Sequence, residues 1–218
     1  MSAPALELPL FLLNLVLFPG TVSPLHIFEQ RYRQMILDCQ REDRPFGIVL
    51  ARPESEPLKE KPYPVGTMVD ISNLTRMDDG RYTFMAIGTK RFRIVSEHRN
   101  RPYLSGLVEP FEDIVDPKYD LSTLTQQASG LFNEYLGMLL EASDGNKDLE
   151  TNLPDVPEDL SHFIAYFLDI QEERKQDFLE LTSTRQRLQE EVAILRREVP
   201  FMRQILSHEV PDDLTRLN

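Results

Sequence analysis

Short apolar segments separated by turn residues fill the first half of the chain. Some are almost uninterrupted apolar runs, and others alternate between apolar and polar positions; they span residues 6–13, 46–51, 65–71, 81–87, 90–95 and 103–109. Runs of this length are typical of β-strands. Asp79-Gly80 lies between two of them and is a sequence typical of a hairpin turn. The pattern predicts a set of about six short, mostly antiparallel strands that form a small barrel or sandwich.

The hydrophobic period changes within residues 16–32, which read VLFPGTVSPLHIFEQRY. Pro19-Gly20 predicts a sharp bend, because proline presets φ and glycine tolerates positive φ. Beyond Pro24 the apolar residues recur at helical spacing, at Phe28, Tyr32, Met35, Ile36 and Cys39. We therefore predict a helix from about Ile27 to Arg41 with these residues on its buried face. Residues 52–64 hold four prolines and several charges, so we expect an exposed excursion there.

Helical spacing dominates the second half. Apolar residues recur every three or four positions from Leu124 to Leu139 and again after Pro157, and residues 143–154 form a polar connection. Ser183 and Gln186 have the spacing of a capping box, which predicts a break near Thr182 and a helix that ends or kinks at Pro200. We predict two domains, a β-rich domain of residues 1–117 and an α-helical bundle of residues 118–218.

Composition narrows the class of protein. The formal net charge of −12 disfavours broad binding to nucleic acid or anionic lipid. No apolar run is long enough to span a membrane, and the N-terminus lacks the basic start of a secretory signal, so we expect a cytoplasmic location without membrane contact. The single cysteine, Cys39, excludes an intramolecular disulfide and is expected to be a buried thiol.

Motifs for catalysis and cofactor binding are missing from the sequence. There is no G-x-x-x-x-G-K-[ST] loop for nucleotide phosphates and no G-x-S-x-G nucleophile turn. The four histidines lack metal-ligand spacing, and the acidic residues of 144–155 lack the glycine of a calcium loop. We expect no catalytic residues, no cofactor and no metal site, and neither binding nor hydrolysis of ATP.

A long stretch of the sequence resembles a known family. LPLFLLNLVLFPGTVSPLHIFEQRY (residues 8–32) is similar to the opening of the Lon protease N-terminal domain, the LON substrate-binding domain. VGTMVDI, DDGRYTFMAIGTKRFRI and RPYLSGLVEPFED follow in the family's order. Gln30 departs from the proline common in related stretches. The resemblance implies an α+β protein with a mostly antiparallel PUA-like β pseudobarrel, followed by a small α-helical bundle.

The resemblance also implies a function. Lon proteases join this domain to ATPase and protease modules, for which these residues leave no segment, so we interpret the chain as a stand-alone, non-catalytic LON-domain protein. It would bind unfolded or partly folded protein segments or an adaptor, or supply substrates to a separate protease. Two alternatives remain: a PUA-like module that contacts RNA through Lys90, Arg91, Arg93, Arg99 and Arg101, and a hydrolase with an unrecognised site. The sequence does not indicate the oligomeric state.

A candidate protein-binding surface surrounds the Pro19-Gly20 bend. Six apolar residues crowd both sides of it: Leu17, Phe18, Pro19, Val22, Pro24 and Leu25. One interpretation is that they pack in the core, as large apolar side chains usually do. The other is that some of them remain exposed together and hold an extended apolar peptide.

Overall fold

The computed structural model describes residues 5–53, 61–114, 118–142 and 152–208. Its elements are, in chain order, β1 (Leu6–Leu13), β2 (Val22–Ile27), α1 (Gln30–Glu42), β3 (Phe46–Ala51), β4 (Pro62–Arg76), β5 (Tyr82–His98), β6 (Ser105–Pro110), α2 (Ser122–Ala142), α3 (Pro157–Phe167), α4 (Glu172–Glu180) and α5 (Thr184–His208). None of the helices in these ranges is long and apolar enough to cross a lipid bilayer.

The chain divides into two compact units. The first contains residues 1–114 and 165–182, and the second contains residues 115–164 and 183–218. All the strands belong to the first unit. The two-domain division at residue 117 stays a prediction. The compact units differ from it in two respects: the first boundary lies after residue 114, and residues 165–182 belong with the strands.

The six strands form one sheet that largely closes on itself. Their order is β2-β5-β4-β3-β1-β6, and β5 also pairs with β6. Closure is possible because β5 is long: Tyr82–Ile87 pair with β2, whereas Phe92–His98 pair with β6. Among the strand pairs of the described residues, β1 and β3 are parallel and the others are antiparallel. The predicted α+β class and mostly antiparallel barrel are confirmed.

Strand β1 is buried on both faces. Leu8, Leu10 and Leu12 belong to one apolar cluster with Phe92 and Val108, whereas Phe11 belongs to a second cluster with residues of helix α1. This explains why the run is apolar without alternation. Proline has no N–H to donate to a neighbouring strand, so Pro9 would be expected at a sheet edge or a bulge. Instead β1 lies between β3 and β6, and its pairing with β3 begins only at Leu10, so proline's missing N–H costs no bond on that side.

One aromatic ring fills the space beside two glycines. A Cβ atom at Gly47 would lie 2.5 Å from the ring of Phe92, and one at Gly66 would lie 2.7 Å from the same ring. Phe92 itself is fully buried. The small residues on β3 and β4 therefore make room for the large residue on β5.

Helix α1 buries the face that its sequence predicts, with one exception. Tyr32, Met35, Ile36 and Cys39 are buried in the second apolar cluster, and burial raises the pKa of the Cys39 thiol to about 11. Phe28 was predicted to lie on this face, but its side chain is 64% exposed. The helix begins at Gln30 after an extended Glu29, so Phe28 lies outside the helical period and follows the alternation of β2.

A buried carboxylate also lies on α1. Asp38 accepts hydrogen bonds from the Tyr103 hydroxyl at 2.8 Å, from Gln34 at 2.9 Å and from Arg41 at 2.9 Å. Burial opposes ionisation, but these donors, with Arg101, keep the pKa of Asp38 below its ordinary value. The network attaches the helix to the segment that precedes β6.

Two strands are longer than predicted. Strand β4 begins at Pro62, where Ala51 pairs with it, although residues 52–64 were expected to be outside the sheet. Residues 54–60 lie outside the described part of the chain. The predicted strands 81–87 and 90–95 are parts of the single strand β5. The hairpin at Asp79-Gly80 is confirmed, with Gly80 at φ +80°.

Residues 165–182 are attached to the strands by polar side chains. Arg91 of β5 donates to the carbonyl oxygens of Leu179 and Leu181 and forms a buried ion pair with Asp113. The Gln176 amide donates to the carbonyl oxygen of Val65 at 3.1 Å. The N–H of Val16 donates to the Glu172 carboxylate at 2.6 Å.

In the second unit, α2 packs on α5 around buried apolar residues from α2, α3 and α5: Ala128, Phe132, Tyr135, Leu160, Ile164, Leu188, Val192 and Leu195.

The predicted break before α5 is confirmed, because the Ser183 hydroxyl accepts the Gln186 N–H at 3.3 Å and α5 begins at Thr184. Of the two outcomes predicted at Pro200, a helix end is wrong, because α5 continues to His208, and a kink stays a prediction. Pro200 has no N–H to donate to the carbonyl of Arg196, and both residues are exposed. The acidic residues of 144–155 lie largely outside the described residues, which resume at residue 152.

Candidate functional site

The six residues of the predicted protein-binding surface do not share one environment. Leu17, Phe18 and Leu25 are buried in the first unit, with Phe18 fully inaccessible. Pro19 is half-buried, whereas Val22 and Pro24 are exposed. The structure therefore divides the set between core residues and two exposed residues on strand β2.

The bend at Pro19-Gly20 is held against the sheet by several hydrogen bonds. The Thr21 hydroxyl donates to the Phe18 carbonyl oxygen at 2.7 Å, and the Thr67 hydroxyl donates to the Leu17 carbonyl oxygen at 2.6 Å. The N–H of Gly20 donates to the Gly88 carbonyl oxygen at 2.9 Å. These contacts fix the backbone of the bend between the buried Phe18 and strand β2.

Strand β2 has one buried face and one exposed face. Its burial alternates strictly, with Ser23, Leu25 and Ile27 buried and Val22, Pro24 and His26 exposed. Directly opposite residues share a face of the sheet, so the outward face can be followed across three strands. One row is Val22, Ile87 and Asp70, and the next is Pro24, Met85 and Ser72.

We call these two rows together with Phe28 the outer face. Val22 is 43% exposed and Phe28 is 64% exposed, and Met85 and Ile87 are partly exposed. The apolar strand residues of the outer face, all exposed or partly exposed, are Val22, Pro24, Met85 and Ile87. Asp70 and Ser72 form its polar border on β4. Contiguous apolar residues of this kind mark interaction surfaces more often than isolated ones do.

Beside the outer face, the edge of β2 away from β5 carries polar backbone groups. Gly88 donates its N–H to Thr21, and the same pairing then places Ser23, Leu25 and Ile27 in the hydrogen-bonded positions opposite β5. The backbone groups of Val22, Pro24 and His26 therefore face away from β5. The Tyr166 hydroxyl donates to the Val22 carbonyl oxygen at 3.3 Å. Pro24 contributes no N–H, which reduces the capacity of this edge to pair with another strand.

Arg33 bonds the backbone at the Phe28 end of the outer face. Its guanidinium donates through Nε to the carbonyl oxygen of Phe28 at 2.9 Å. This contact occupies the carbonyl that would otherwise continue the edge of β2. The Phe28 side chain is left exposed beyond the last paired residue, Ile27.

The basic residues considered for RNA contact are mostly engaged within the protein. Arg91 is buried, and the Arg93 guanidinium lies 4.0 Å from the centre of the Phe111 ring. Arg99 pairs with Glu97, and Arg101 donates to the Tyr103 hydroxyl at 2.9 Å. Because these four arginines already contact groups of the protein, the structure gives less support to a strand face that binds phosphates.

Within the described residues, no group of three histidine, cysteine, aspartate or glutamate side chains is placed to hold a metal ion.

The sequence analysis did not predict three residues of the outer face, namely Phe28, Met85 and Ile87. The signal for Phe28 was present, because VSPLHIF alternates from Val22 onward and Phe28 continues that alternation. Met85 and Ile87 needed the register between β2 and β5, which the sequence does not specify.

The chain matches known proteins over most of its length. Residues 7–197 match the model of the ATP-dependent protease La (LON) substrate-binding domain. A Lon protease 2 of Myxococcus xanthus is 29% identical over 188 residues, which cover 85% of this chain and 23% of that protein. A Lon protease of Syntrophus aciditrophicus is 29% identical over 201 residues, which cover 89% of this chain and 25% of that protein. The chain thus spans about a quarter of the length of these curated relatives.

Solved structures agree with the family match. A crystal structure of a Lon N-terminal domain protein from Xanthomonas campestris superposes with a TM-score of 0.63 and 26% identity, covering 86% of this chain and 98% of that one. The N-terminal domain of a Mycobacterium avium complex Lon protease gives the same TM-score at 19% identity, which supports the fold alone, and covers 87% of this chain and 98% of that one. The LON substrate-binding domain is a non-catalytic module, and this chain belongs to that family.

Proposed function

We propose that this protein binds unfolded or partly folded protein segments through the outer face of β2 and β5. The observation that carries the proposal is the contiguous apolar patch formed by Val22, Pro24, Met85 and Ile87, on strands whose other face is the packed core. The family match to a substrate-binding domain supports a polypeptide ligand.

Binding on the outer face is expected to use side chains more than backbone groups. Its apolar residues lie on the face of two paired strands, and the adjoining edge of β2 offers few backbone groups because of Pro24, Tyr166 and Arg33. Side-chain contact with the outer face, rather than strand addition, would therefore supply most of the binding free energy.

The test uses a fluorescein-labelled protein that is kept unfolded by reduction and carboxymethylation of its cysteines. Binding is followed by fluorescence anisotropy for the natural chain and for Val22→Asp. Removing the apolar contact and adding a charge should weaken binding by roughly tenfold or more. Val22 is exposed, so the melting temperature should change by no more than a few degrees.

Val95→Asp is the matched control, because Val95 is also an exposed valine on a strand, 53% accessible, but it does not lie on the outer face. It should leave the affinity for the unfolded protein unchanged. Equal affinities for all three proteins would remove the outer face as the binding surface. Absence of binding by the natural chain would overturn the function itself.

Two narrower roles belong to this proposal. The bound polypeptide is either a client or an adaptor, and a separate protease is a candidate partner that would receive the client. Contact with RNA has less support, because Arg91 and Arg101 are engaged within the protein. The cytoplasmic location stays a prediction of the sequence.

A further inference from the structure

A pocket of about 500 Å³ lies beside the outer face in the first unit. One wall is the end of α1 and the loop that leads to β3, residues 39–45, and the other wall is β4, from Val69 to Leu74. The pocket forms here because β4 pairs with β3 only as far as Val69. Beyond Val69 the edge of β4 has no strand from β3 beside it.

The lining combines apolar groups with carboxylates. Pro45, Ile71 and Leu74 are partly exposed and contribute apolar surface. Val69 and Cys39 also line the pocket but are buried, and the raised pKa of the Cys39 thiol, about 11, keeps it neutral. Asp43 and Asp70 line the same pocket and are exposed. In the described part of the chain, neither carboxylate forms an ion pair.

The charge of the pocket favours a cation. Arg44 is the basic residue of the lining, but its Nε lies 3.0 Å from a carboxylate oxygen of Glu42, so its charge is compensated. The C-terminal end of α1 at Asp43 adds the negative end of a helix dipole. An anion would meet two carboxylates, and a purely apolar ligand would remove water from both without replacing it.

We propose that this pocket binds a lysine or arginine side chain of the polypeptide held on the outer face. The aliphatic stem of such a side chain would lie on the apolar lining, and its charged head would reach Asp43 and Asp70. This inference rests on the proposed function, because the pocket takes a side chain of the same ligand.

The register of the sheet connects the pocket with the outer face. Asp70 lies opposite Ile87, and Ile87 lies opposite Val22, so the three residues form one row across β4, β5 and β2. Neighbouring strands are about 4.8 Å apart, which places Asp70 about 10 Å from Val22, the span of about three extended residues. The preferred ligand therefore carries a basic residue about three positions from an apolar one.

The test compares two fluorescein-labelled peptides with the same apolar core. One carries lysine three positions from the core, and the other carries norleucine, which has a similar aliphatic stem without the charge. The natural chain should bind the lysine peptide roughly twofold to fivefold more tightly, as expected for a solvent-accessible ion pair. This advantage should disappear in the double variant Asp43→Asn, Asp70→Asn, in which the affinities for the two peptides should become equal to each other.

Each outcome has a distinct meaning. Equal binding of both peptides to the natural chain would overturn the pocket and leave the proposed function standing. A lysine advantage that persists in the double variant would also overturn it, because the cation would be bound elsewhere. Failure of the natural chain to bind either peptide would overturn both proposals. Circular dichroism and melting temperature confirm that the double variant is folded before the affinities are compared.

Discussion

The guanidinium of Arg91 on β5 lies 2.9 Å from the carbonyl oxygen of Leu179, near the end of helix α4. The same guanidinium reaches the Leu181 carbonyl oxygen at 2.5 Å and forms the buried ion pair with Asp113. A cation is favourable at the C-terminal end of a helix, where carbonyl groups lack partners within the helix. One strand residue therefore contacts the C-terminal end of helix α4 at Leu179, which lies 88 positions later in the chain.

Replacing Arg91 tests this attachment. Arg91→Met keeps much of the aliphatic volume but leaves the buried Asp113 carboxylate without the guanidinium. We expect the free energy of unfolding to fall by about 3–5 kcal/mol, the usual cost of removing one partner of a buried ion pair. Urea denaturation followed by circular dichroism measures the loss.

Arg93→Met is the control for that experiment. Arg93 lies on the same strand and, like Arg91, contacts the Phe111 ring, but its side chain is exposed. Its loss should cost no more than about 1 kcal/mol, since exposed cation–π contacts are weak. If both variants lose the same small amount, Arg91 does not hold residues 165–182 on the strands.

Phe18 gives a prediction that separates core from ligand contact. Because Phe18 is fully buried, Phe18→Ser should lower the free energy of unfolding by roughly 3 kcal/mol or more. The folded fraction that survives should bind unfolded protein with unchanged affinity. Weakened binding in a variant whose melting temperature is unchanged would instead identify Phe18 as a contact with the ligand.

Two glycines allow a matched test of close packing. A Cβ atom at Gly88 would lie 2.2 Å from the carbonyl oxygen of Phe18, so Gly88→Ala forces the backbone of the bend to move. We expect a loss of about 1–3 kcal/mol in the free energy of unfolding. Gly130 lies within α2 with nothing within 4 Å of the same atom, so Gly130→Ala should stabilise the helix by about 0.5–1 kcal/mol. Thermal melts of the two variants should shift in opposite directions, and shifts in the same direction would contradict the packing at Gly88.

Glu191 of α5 predicts a pH dependence of stability. It accepts the Ser161 hydroxyl at 2.9 Å, and burial raises its pKa from 4.5 to about 8, even though nearby Arg187 opposes the shift. The folded protein holds this proton more tightly than the unfolded chain does. The stabilisation is therefore complete below pH 4.5 and is lost as the pH rises to about 8, by up to ~1.4 kcal/mol per pH unit.

The measurement is urea unfolding across this pH range for the natural chain and for Glu191→Gln. Glutamine cannot ionise, so the difference in unfolding free energy between the two proteins should change with pH in the direction just given. Parallel pH profiles for the two proteins would show that Glu191 has an ordinary pKa or stays ionised beside Arg187.

The parts of the fold that the sequence predicts correctly are those governed by local pattern. The bounds of β1 and β3 follow from apolar runs, and the start of α5 follows from Ser183 and Gln186. The burial of Asp38 and Arg91 does not follow from local pattern, because a charged residue in a strand or helix is expected to face solvent unless its distant partners are known. Tyr103 and Leu179 are such partners, and no sequence period connects them with the charges that they contact.

The candidate site shows the same limit. The bend at Pro19-Gly20 is visible in the sequence, but the division of its apolar residues between core and surface depends on contacts with Thr67 and Gly88 of other strands. Val22 and Pro24 are exposed only because the bend is fixed in that way. The pocket beside Asp70 depends on where β3 ends against β4, which is a property of register.

The pairing of β1 with β6 has a consequence for how the chain is made. Leu6 pairs with Val108 and Pro9 pairs with Ser105, so β1 leaves the ribosome nearly a hundred residues before the strand β6 with which it pairs. Until then β1, which is apolar on both faces, has only part of its final covering, and pairings this distant in sequence form slowly. If the protein recognises unfolded segments, as we propose, it presents during its own synthesis a segment of the kind that it would bind.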